Sequence, residues 1–344
     1  MIQQHGGNIG QLSDILDFSA NINPLGAPES VKTALSASIE CIEKYPDPYC
    51  GQLCEKIGVF EKISDDNIVC GNGADDLIFR IVHAFKPKKA LICAPSFSEY
   101  SRALSEVSCE IGEYALLEEN SFDIGEDILT RLDNSLDMCF ICTPNNPTGR
   151  LISSELLEKI TIKCEENNII LVCDECFLGF TGDSESYSLR SFLNGKCIII
   201  KAFTKLCAMP GIRLGYAICG STSIAERIRE SGQFWSVSAI AQAAGIAALD
   251  EEGYVQETVG FIRAERSFLF SELIKLGVKV YDSAANYLLF KSKIGLAEEL
   301  LRCGILIRDC ENFRGLSGGF YRIAVRTHEE NIRLITALRR CLYG

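Results

Sequence analysis

Short apolar runs alternate with amphipathic stretches from residue 64 onward. The run NIVC at 67–70, for example, is followed by ADDLIFRIVHAF at 74–85, which has the spacing of a helix with one apolar face. Later runs such as IILVCDE at 169–175 contain almost no polar positions until their last residues. Strands buried on both faces by helices have this composition, so the pattern predicts an α/β domain built on a large, mostly parallel sheet.

The pattern changes after residue 236. A long helical stretch at 239–277 is followed by a few strands and by a closing helix, which begins with a capping box formed by Thr327 and Glu330. We therefore predict a large α/β domain at 37–236 and a smaller α+β domain at 237–344. Residues 1–36 are predicted to be an N-terminal segment that associates with the small domain and the active site.

Composition and charge exclude several classes of partner. Of the 344 residues, 47% are hydrophobic and 23% are charged, and no apolar stretch approaches the roughly 20 residues of a membrane-spanning helix. The formal charge is −12, without a dense basic stripe, so we expect neither nucleic acid nor an anionic membrane as a partner. The start of the chain has no basic and apolar leader, and we expect a cytoplasmic protein.

The chain contains 17 cysteines, including two CxxC pairs, Cys139/Cys142 and Cys173/Cys176. A four-cysteine zinc site is one interpretation of these pairs. However, both pairs lie in apolar, strand-like runs, where residues three apart point to opposite faces. An odd cysteine count without an export signal also argues against a disulfide framework. We predict buried free thiols and no metal site.

The segment Gly71-Asn72-Gly73 follows a predicted strand and precedes a predicted helix. A dinucleotide-binding fingerprint would require a third small residue where this chain has Asp76. Backbone N–H groups at the start of a helix nevertheless bind anions. We therefore predict a site for one phosphate group at this turn.

Three more motifs lie where predicted strands end. Carboxyl ends of parallel strands form the ligand-binding edge of an open α/β sheet. Together the motifs supply a lysine able to form a Schiff base, a carboxylate and an arginine, which are the groups that pyridoxal phosphate requires. They are Asn145-Asn146-Pro147-Thr148-Gly149, Asp174-Glu175, and Thr204-Lys205 followed by Gly211-Ile212-Arg213-Leu214-Gly215.

In this order, the motifs resemble the fold-type I pyridoxal-phosphate enzymes of the aspartate aminotransferase group, and the resemblance covers essentially the whole chain. HGGNI at 5–9 and LDFSANINPLG at 16–26 resemble more narrowly the threonine-phosphate decarboxylases of cobalamin biosynthesis. KYPDP at 44–48, FSEY at 97–100, ILIRDC at 305–310 and YRIAVR at 321–326 belong to the same resemblance. That group is related to histidinol-phosphate aminotransferase.

The resemblance implies roles for individual residues around a pyridoxal-phosphate cofactor. Lys205 would bind the cofactor aldehyde, Asp174 would pair with the pyridine nitrogen, and Phe97 would stack on the ring. Asn146 would lie near both the cofactor and the substrate. The cofactor phosphate would be held by a group of residues at the phosphate site: Gly73, Ala74, Asp75, Thr204, Arg213 and Tyr45.

Further roles concern the substrate and the assembly. Tyr45 resembles a tyrosine that reaches the phosphate from the partner subunit, which implies a homodimer with shared active sites. The residues that match those binding the substrate phosphate and carboxylate are His5, Asn21, Asn146, Arg308 and Arg322. Arg326 could be a third substrate arginine or a salt-bridge partner.

Two positions depart from the family pattern. Ala202 stands where the family commonly has a hydroxyl donor to the cofactor phosphate, and Phe177 stands where many aminotransferases have a tyrosine. The second departure favours the decarboxylase group. The resemblance implies decarboxylation of L-threonine O-3-phosphate to (R)-1-amino-2-propanol O-2-phosphate and CO₂. L-serine O-phosphate decarboxylation and a histidinol-phosphate-type aminotransferase reaction are the alternatives.

Overall fold

The computed structural model of the chain describes residues 6–7 and 15–344. The strands in this part of the chain are β1 (Leu16–Asp17), β2 (Ile68–Gly71), β3 (Lys89–Ala94), β4 (Glu110–Ala115), β5 (Met138–Cys142), β6 (Ile170–Asp174), β7 (Cys197–Ala202), β8 (Gly215–Cys219), β9 (Lys279–Val280), β10 (Tyr287–Lys291), β11 (Ile305–Leu306), β12 (Arg308–Asp309) and β13 (Phe320–Ala324). The α-helices are α1 (Glu29–Ala37), α2 (Gly51–Glu61), α3 (Ala74–Phe85), α4 (Ser98–Glu106), α5 (Ser154–Glu166), α6 (Ser184–Tyr187), α7 (Phe203–Leu206), α8 (Thr222–Glu230), α9 (Ala239–Leu249), α10 (Tyr254–Lys275), α11 (Leu296–Arg302) and α12 (His328–Tyr343).

The large sheet has seven strands in the order β2-β8-β7-β6-β5-β3-β4. β8 is antiparallel to both of its neighbours, and every other pairing is parallel. Both faces of the sheet are covered. On β7, for instance, Cys197 and Ile199 pack into one hydrophobic core, whereas Ile198 and Ile200 pack into another on the opposite face. The predicted α/β fold class is confirmed.

Most predicted elements appear close to their predicted positions. The helix expected at 74–85 is α3, and the capping box of Thr327 and Glu330 is present at the start of α12. The long stretch at 239–277 is two helices, because Gly253 adopts a left-handed conformation (φ 83°) between them. β4 was not predicted, since its residues are mostly exposed or half-buried and lack a clear apolar pattern at this edge of the sheet.

The smaller, four-stranded sheet has the order β12-β13-β10-β9 and is antiparallel. The N-terminal segment joins this part of the molecule, because β1 pairs in parallel with β11 and Phe18 O accepts a 2.8 Å hydrogen bond from Ala324 N. Further along the segment, Asn23 N donates to Lys205 O at 3.1 Å. Residues 16–23 therefore connect the small sheet to the helical turn that follows β7.

The cysteines are free thiols, and most of them are buried. Cys139 and Cys142 lie on β5 but belong to hydrophobic cores on opposite faces of the large sheet, as strand geometry predicts. Within residues 6–7 and 15–344, no cluster of His, Cys, Asp and Glu side chains is arranged to hold a metal ion. No helix in the same residues is both long and apolar enough to cross a membrane.

Candidate active site

A cavity of about 230 Å³ lies at the carboxyl ends of the parallel strands. Its walls come from the ends of β5, β6 and β7, from the start of α3 and α4, and from the N-terminal segment and the small sheet. Most of the predicted site residues meet here. The lining residues are Gly6, Ser19, Ala20, Asn21, Ala74, Asp75, Phe97, Ser98, Cys142, Asn146, Asp174, Cys176, Phe177, Ala202, Thr204, Lys205, Arg213, Arg308, Phe313 and Arg322.

Lys205 lies on α7, the single helical turn that follows β7, and its side chain faces the cavity. Among the described residues, its amine makes no hydrogen bond or ion pair. Burial and the nearby charge of Arg322 lower the pKa of Lys205 below its ordinary value. A larger fraction of the amine is therefore neutral, and only the neutral amine is a nucleophile.

Asp174 ends β6 and is 5% exposed. The Tyr100 hydroxyl donates to Asp174 Oδ2 at 2.6 Å, and the Cys176 backbone N–H donates to Oδ1 at 2.9 Å. Burial raises the pKa of Asp174, and these hydrogen bonds oppose the increase. A positively charged partner in the cavity would favour the carboxylate form.

The next residue, Glu175, points away from the cavity. It accepts hydrogen bonds from Ser188 Oγ and from Leu189 N, and Lys201 lies 3.8 Å away. Only the first residue of the Asp174-Glu175 pair therefore belongs to the site.

The predicted phosphate site is formed by the start of α3, where Ala74 and Asp75 contribute the first backbone N–H groups of the helix. Gly73 precedes them with φ 89°, and a Cβ at this position would come within 2.8 Å of Arg213 Nη2. The Arg213 guanidinium also lies 3.6 Å from Asp75 Oδ2. N–H groups at a helix N-terminus and a guanidinium thus lie close together, an arrangement that favours an anion.

Asp76 does not disturb this site. Its carboxylate turns back to accept a 2.8 Å hydrogen bond from Asn72 N, and Arg80 lies 3.6 Å from the same oxygen. The acid thereby fixes the turn between β2 and α3, and its charge is compensated by the guanidinium.

The two asparagines of the NNPTG motif have different environments. Asn145 is buried in the loop, where its Nδ2 donates to Pro95 O and Thr148 Oγ1, each at 3.0 Å. Asn146 lines the cavity, and its Oδ1 accepts a hydrogen bond from Arg322 Nη1. Asn145 therefore supports the loop, and Asn146 belongs to the site.

Arg308 and Arg322 reach the cavity from neighbouring strands of the small sheet. Arg322 is 5% exposed and donates to Ser19 O at 2.8 Å. With its amide oxygen facing the guanidinium, Asn21 accepts from Arg322 Nε at 3.2 Å. Arg308 is 2% exposed, donates to Asn312 Oδ1 at 2.7 Å and lies 5.1 Å from the centre of the Phe313 ring. Two buried positive charges thus face one cavity.

Two predicted or candidate residues are not part of this arrangement. Tyr45 is 80% exposed, stacks on Trp235 at 4.5 Å and does not line the cavity of its own chain. Arg326 forms a 2.7 Å salt bridge with Glu330 outside the cavity. Of its two predicted roles, it therefore has that of a salt-bridge partner. His5 lies outside the described residues.

Two residues that contact the site were not among those predicted from the sequence. Tyr100 binds Asp174, and its only signal was membership of the FSEY segment. Asn23 is 3% exposed, and its Nδ2 donates to Leu206 O at 2.8 Å, directly after the lysine. Its signal was a place in the ANINPLG segment. The hydrogen-bond partners of Tyr100 and Asn23 cannot be predicted from their positions in the sequence.

The chain belongs to the aminotransferase class I and II family, which matches residues 13–338. It is 38% identical to threonine-phosphate decarboxylase of Salmonella typhimurium, over 99% of this chain and 97% of that protein. It is 37% identical to the adenosylcobalamin biosynthesis bifunctional protein CobDQ of Leptospira interrogans, over all of this chain and 41% of that protein.

Solved structures share the architecture. The crystal structure of histidinol-phosphate aminotransferase from Clostridium acetobutylicum superposes with a TM-score of 0.90 at 33% identity, covering 95% of this chain and 99% of that one. The fold is that of the fold-type I pyridoxal-phosphate enzymes, and the resemblance seen in the motifs is confirmed.

Proposed function

We propose that this protein is a pyridoxal-phosphate-dependent carboxy-lyase of cobalamin biosynthesis. It decarboxylates L-threonine O-3-phosphate to (R)-1-amino-2-propanol O-2-phosphate and CO₂. The observation that carries the proposal is the pair of buried arginines, Arg308 and Arg322, facing the cavity that contains Lys205. Two guanidiniums suit a substrate with two anionic groups, a phosphate and a carboxylate. The similarity to threonine-phosphate decarboxylase over nearly the full length supports the same conclusion.

The side chains around the cavity fit pyridoxal phosphate. Lys205 would hold its aldehyde, Asp174 its pyridine nitrogen and Phe97 one face of its ring. Its phosphate would bind at the start of α3, beside Arg213 and Thr204. Ala202 lines the cavity with only a methyl group, and Thr204, which also lines it, would supply a hydroxyl donor in its place. The cofactor, when bound, supplies an aldehyde for the substrate amine and a ring that accepts the electron pair left by departing CO₂.

The side chains of the protein would orient the substrate and transfer protons. Arg308 and Arg322 bind the anionic ends of the substrate, which fixes the direction of the bond from Cα to the carboxylate. The Lys205 amine, once protonated, can donate that proton to Cα after CO₂ leaves, and its lowered pKa makes the ammonium form a stronger acid. Asp174, as a carboxylate, would stabilise a positively charged ring nitrogen.

A histidinol-phosphate-type aminotransferase is the second candidate. The high similarity to the Clostridium acetobutylicum structure favours it. Phe177 stands where many aminotransferases have a tyrosine, and it packs edge-on against Tyr287 at 5.0 Å. This residue favours the decarboxylase.

L-serine O-phosphate is the alternative substrate. It lacks one methyl group of threonine phosphate, a difference of only about 1–3 kcal/mol in a binding pocket.

The deciding experiment measures the products made from each phosphorylated substrate. Purified protein is incubated with L-threonine O-3-phosphate, L-serine O-phosphate or histidinol phosphate, the last with 2-oxoglutarate. We expect CO₂ and one equivalent of the amino-alcohol phosphate from threonine phosphate. Unphosphorylated threonine is the matched control and should react far more slowly even at saturation. Keto product without CO₂ would overturn the decarboxylase assignment.

We further propose that the protein is cytoplasmic. We also propose that it forms a homodimer whose subunits share active sites. Tyr45, Tyr49, Phe234 and Trp235 form an exposed aromatic patch, in which Tyr49 meets Phe234 at 5.8 Å and Phe234 meets Trp235 at 4.9 Å. Exposed apolar patches of this kind mark protein interfaces. A second copy of the chain packed here would cover these rings and could bring Tyr45 to the phosphate site of its partner.

A further inference from the structure

Tyr100 contacts two of the residues expected to face the cofactor ring. Its hydroxyl donates a 2.6 Å hydrogen bond to Asp174 Oδ2. Its ring meets the Phe97 ring edge-on with 5.8 Å between centroids, and it stacks on Phe140 at 5.1 Å. The side chain is 1% exposed, so the hydrogen bond is shielded from solvent.

This hydrogen bond favours the charged form of the buried Asp174 side chain. Burial disfavours the charge of Asp174 and raises its pKa, and Tyr100 is the strongest of the donors that oppose this effect. A carboxylate can accept several hydrogen bonds at once, so Tyr100 does not compete with a donor from the cavity. Without the hydroxyl, the pKa of Asp174 would rise further, and the side chain would stabilise a protonated ring nitrogen less well.

We propose that Tyr100 is a positioning residue for the cofactor: its hydroxyl holds the Asp174 carboxylate charged and in a fixed orientation for the pyridine nitrogen. This inference rests on the proposed function, because it requires pyridoxal phosphate in the cavity. It assigns a role to the FSEY segment beyond that of Phe97.

The test begins with Tyr100→Phe, which removes the hydroxyl and retains the ring that packs against Phe97 and Phe140. The matched control is Tyr114→Phe, because the Tyr114 hydroxyl donates to Asp127 Oδ1 at the same 2.6 Å outside the cavity. Pyridoxal phosphate is titrated into the cofactor-free proteins and followed by visible absorbance. We expect the dissociation constant to rise roughly tenfold to a hundredfold in Tyr100→Phe. In Tyr114→Phe it should equal the wild-type value.

A second measurement separates positioning from a merely structural role. The titrations are repeated with 1-deazapyridoxal phosphate, in which carbon replaces the ring nitrogen. If Tyr100 acts through Asp174 on that nitrogen, wild type and Tyr100→Phe bind the analogue equally. A structural role would weaken the binding of both cofactors by the same factor, and that result would overturn the inference.

The outcomes also distinguish this inference from the proposed function. Failure of the wild-type protein to bind pyridoxal phosphate would overturn the proposed function. Tight binding by the wild type, with Tyr100→Phe indistinguishable from it, would overturn only the role of Tyr100. Circular dichroism of both variants checks that they are folded.

Discussion

Arg308 and Arg322 lie directly opposite each other across the antiparallel strands β12 and β13, and both are almost completely buried. Like charges at opposed positions of a sheet repel, and burial adds a desolvation cost to each. Their hydrogen bonds to Asn312, Ser19 and Asn21 offset part of this cost. An anion in the cavity would offset more, which suits a pair of groups built to bind a doubly anionic substrate.

This relationship leads to a first prediction, on Arg308→Met. Loss of one buried charge that binds the substrate should lower kcat/KM for threonine phosphate at least about 30-fold. The free energy of unfolding without substrate should change by less than about 1 kcal/mol, because the repulsion with Arg322 is also removed. Steady-state kinetics and urea unfolding measure the two quantities.

Arg326→Met is the matched control for this substitution. Arg326 follows β13, the strand that carries Arg322, but it binds Glu330 and does not line the cavity. We expect a stability loss of about 1 kcal/mol and unchanged kinetics. Equal kinetic losses in the two variants would contradict the assigned role of Arg308.

The second prediction concerns Lys205. Borohydride treatment of the protein with pyridoxal phosphate should attach the cofactor covalently to Lys205, as seen by peptide mass spectrometry. Lys205→Ala should show no covalent adduct, whereas Lys86→Ala, which removes an exposed lysine just after α3, should label like wild type. A stable adduct on another lysine in Lys205→Ala would contradict the assignment.

The third prediction concerns Asn23→Ala. The substitution removes the donor to Leu206 O and leaves the Asn23 N–H bond to Lys205 O in place. We expect the free energy of unfolding to fall by roughly 1–3 kcal/mol and cofactor affinity to fall with it, since the turn carrying Lys205 is less firmly held.

Asn67→Ala provides the comparison for Asn23→Ala. Asn67 Nδ2 donates to Cys219 O at 2.7 Å and does not line the cavity. Its loss should lower stability by about 1 kcal/mol without affecting cofactor binding. If both variants bind pyridoxal phosphate like wild type, Asn23 has no part in positioning the lysine.

The fourth prediction concerns pH and Glu118. Hydrogen bonds from Lys279, Lys291 and Tyr281 lower the pKa of Glu118 from 4.5 to about 2. Because the pKa is lower in the folded state, the stabilisation is complete above about pH 4.5 and is lost as the pH falls toward 2. Glu118→Gln should therefore lower the free energy of unfolding at pH 7 by roughly 1–2 kcal/mol, since the partly exposed group is screened by solvent.

Urea unfolding at several pH values measures this effect. The difference between wild type and Glu118→Gln should shrink between pH 4.5 and pH 2. Glu119→Gln, which removes the exposed neighbouring carboxylate, should show almost no difference at any of these pH values. A pH-independent difference for Glu118→Gln would refute the ionic origin of the stabilisation.

The fifth prediction concerns the aromatic patch. Trp235→Glu places a charge among the exposed rings and should shift the protein from dimer to monomer in sedimentation velocity. Ile294→Glu alters a side chain that is 79% exposed outside the patch, and it should leave the dimer intact.

A mixing experiment tests whether the subunits share active sites. Mixing Tyr45→Phe protein with Lys205→Ala protein should restore activity if the sites are shared. No recovery under conditions that exchange subunits would argue against sharing.

Much of the fold follows from local features of the sequence. Helix α3 and the strands that end at Asp174 and Ala202 lie where periodicity and turn residues predict them, because these signals act over only a few residues. The convergence of Asp174, Lys205 and Arg213 was also predictable, because parallel strands end at one edge of the sheet. β4 escaped prediction because an exposed edge strand has no strong apolar pattern.

The direction of each side chain was decided by the tertiary structure. Asn146 faces the cavity while Asn145 supports the loop, and Asp174 faces it while Glu175 turns to Ser188. Such choices depend on which distant groups offer hydrogen bonds once the elements have packed. The opposition of Arg308 and Arg322 depends likewise on strand register, which local sequence does not specify.

The sequence by itself thus determined the family, the sheet and the identity of the residues that gather at its edge. Only the tertiary structure decided their partners. Tyr100 reaches Asp174 across 74 positions of the chain, and Asn23 reaches Leu206 across 183. The physical reason is that hydrogen bonds between buried groups form only where packing brings donor and acceptor together, whereas most helices and strands of this chain carry a signal in neighbouring residues.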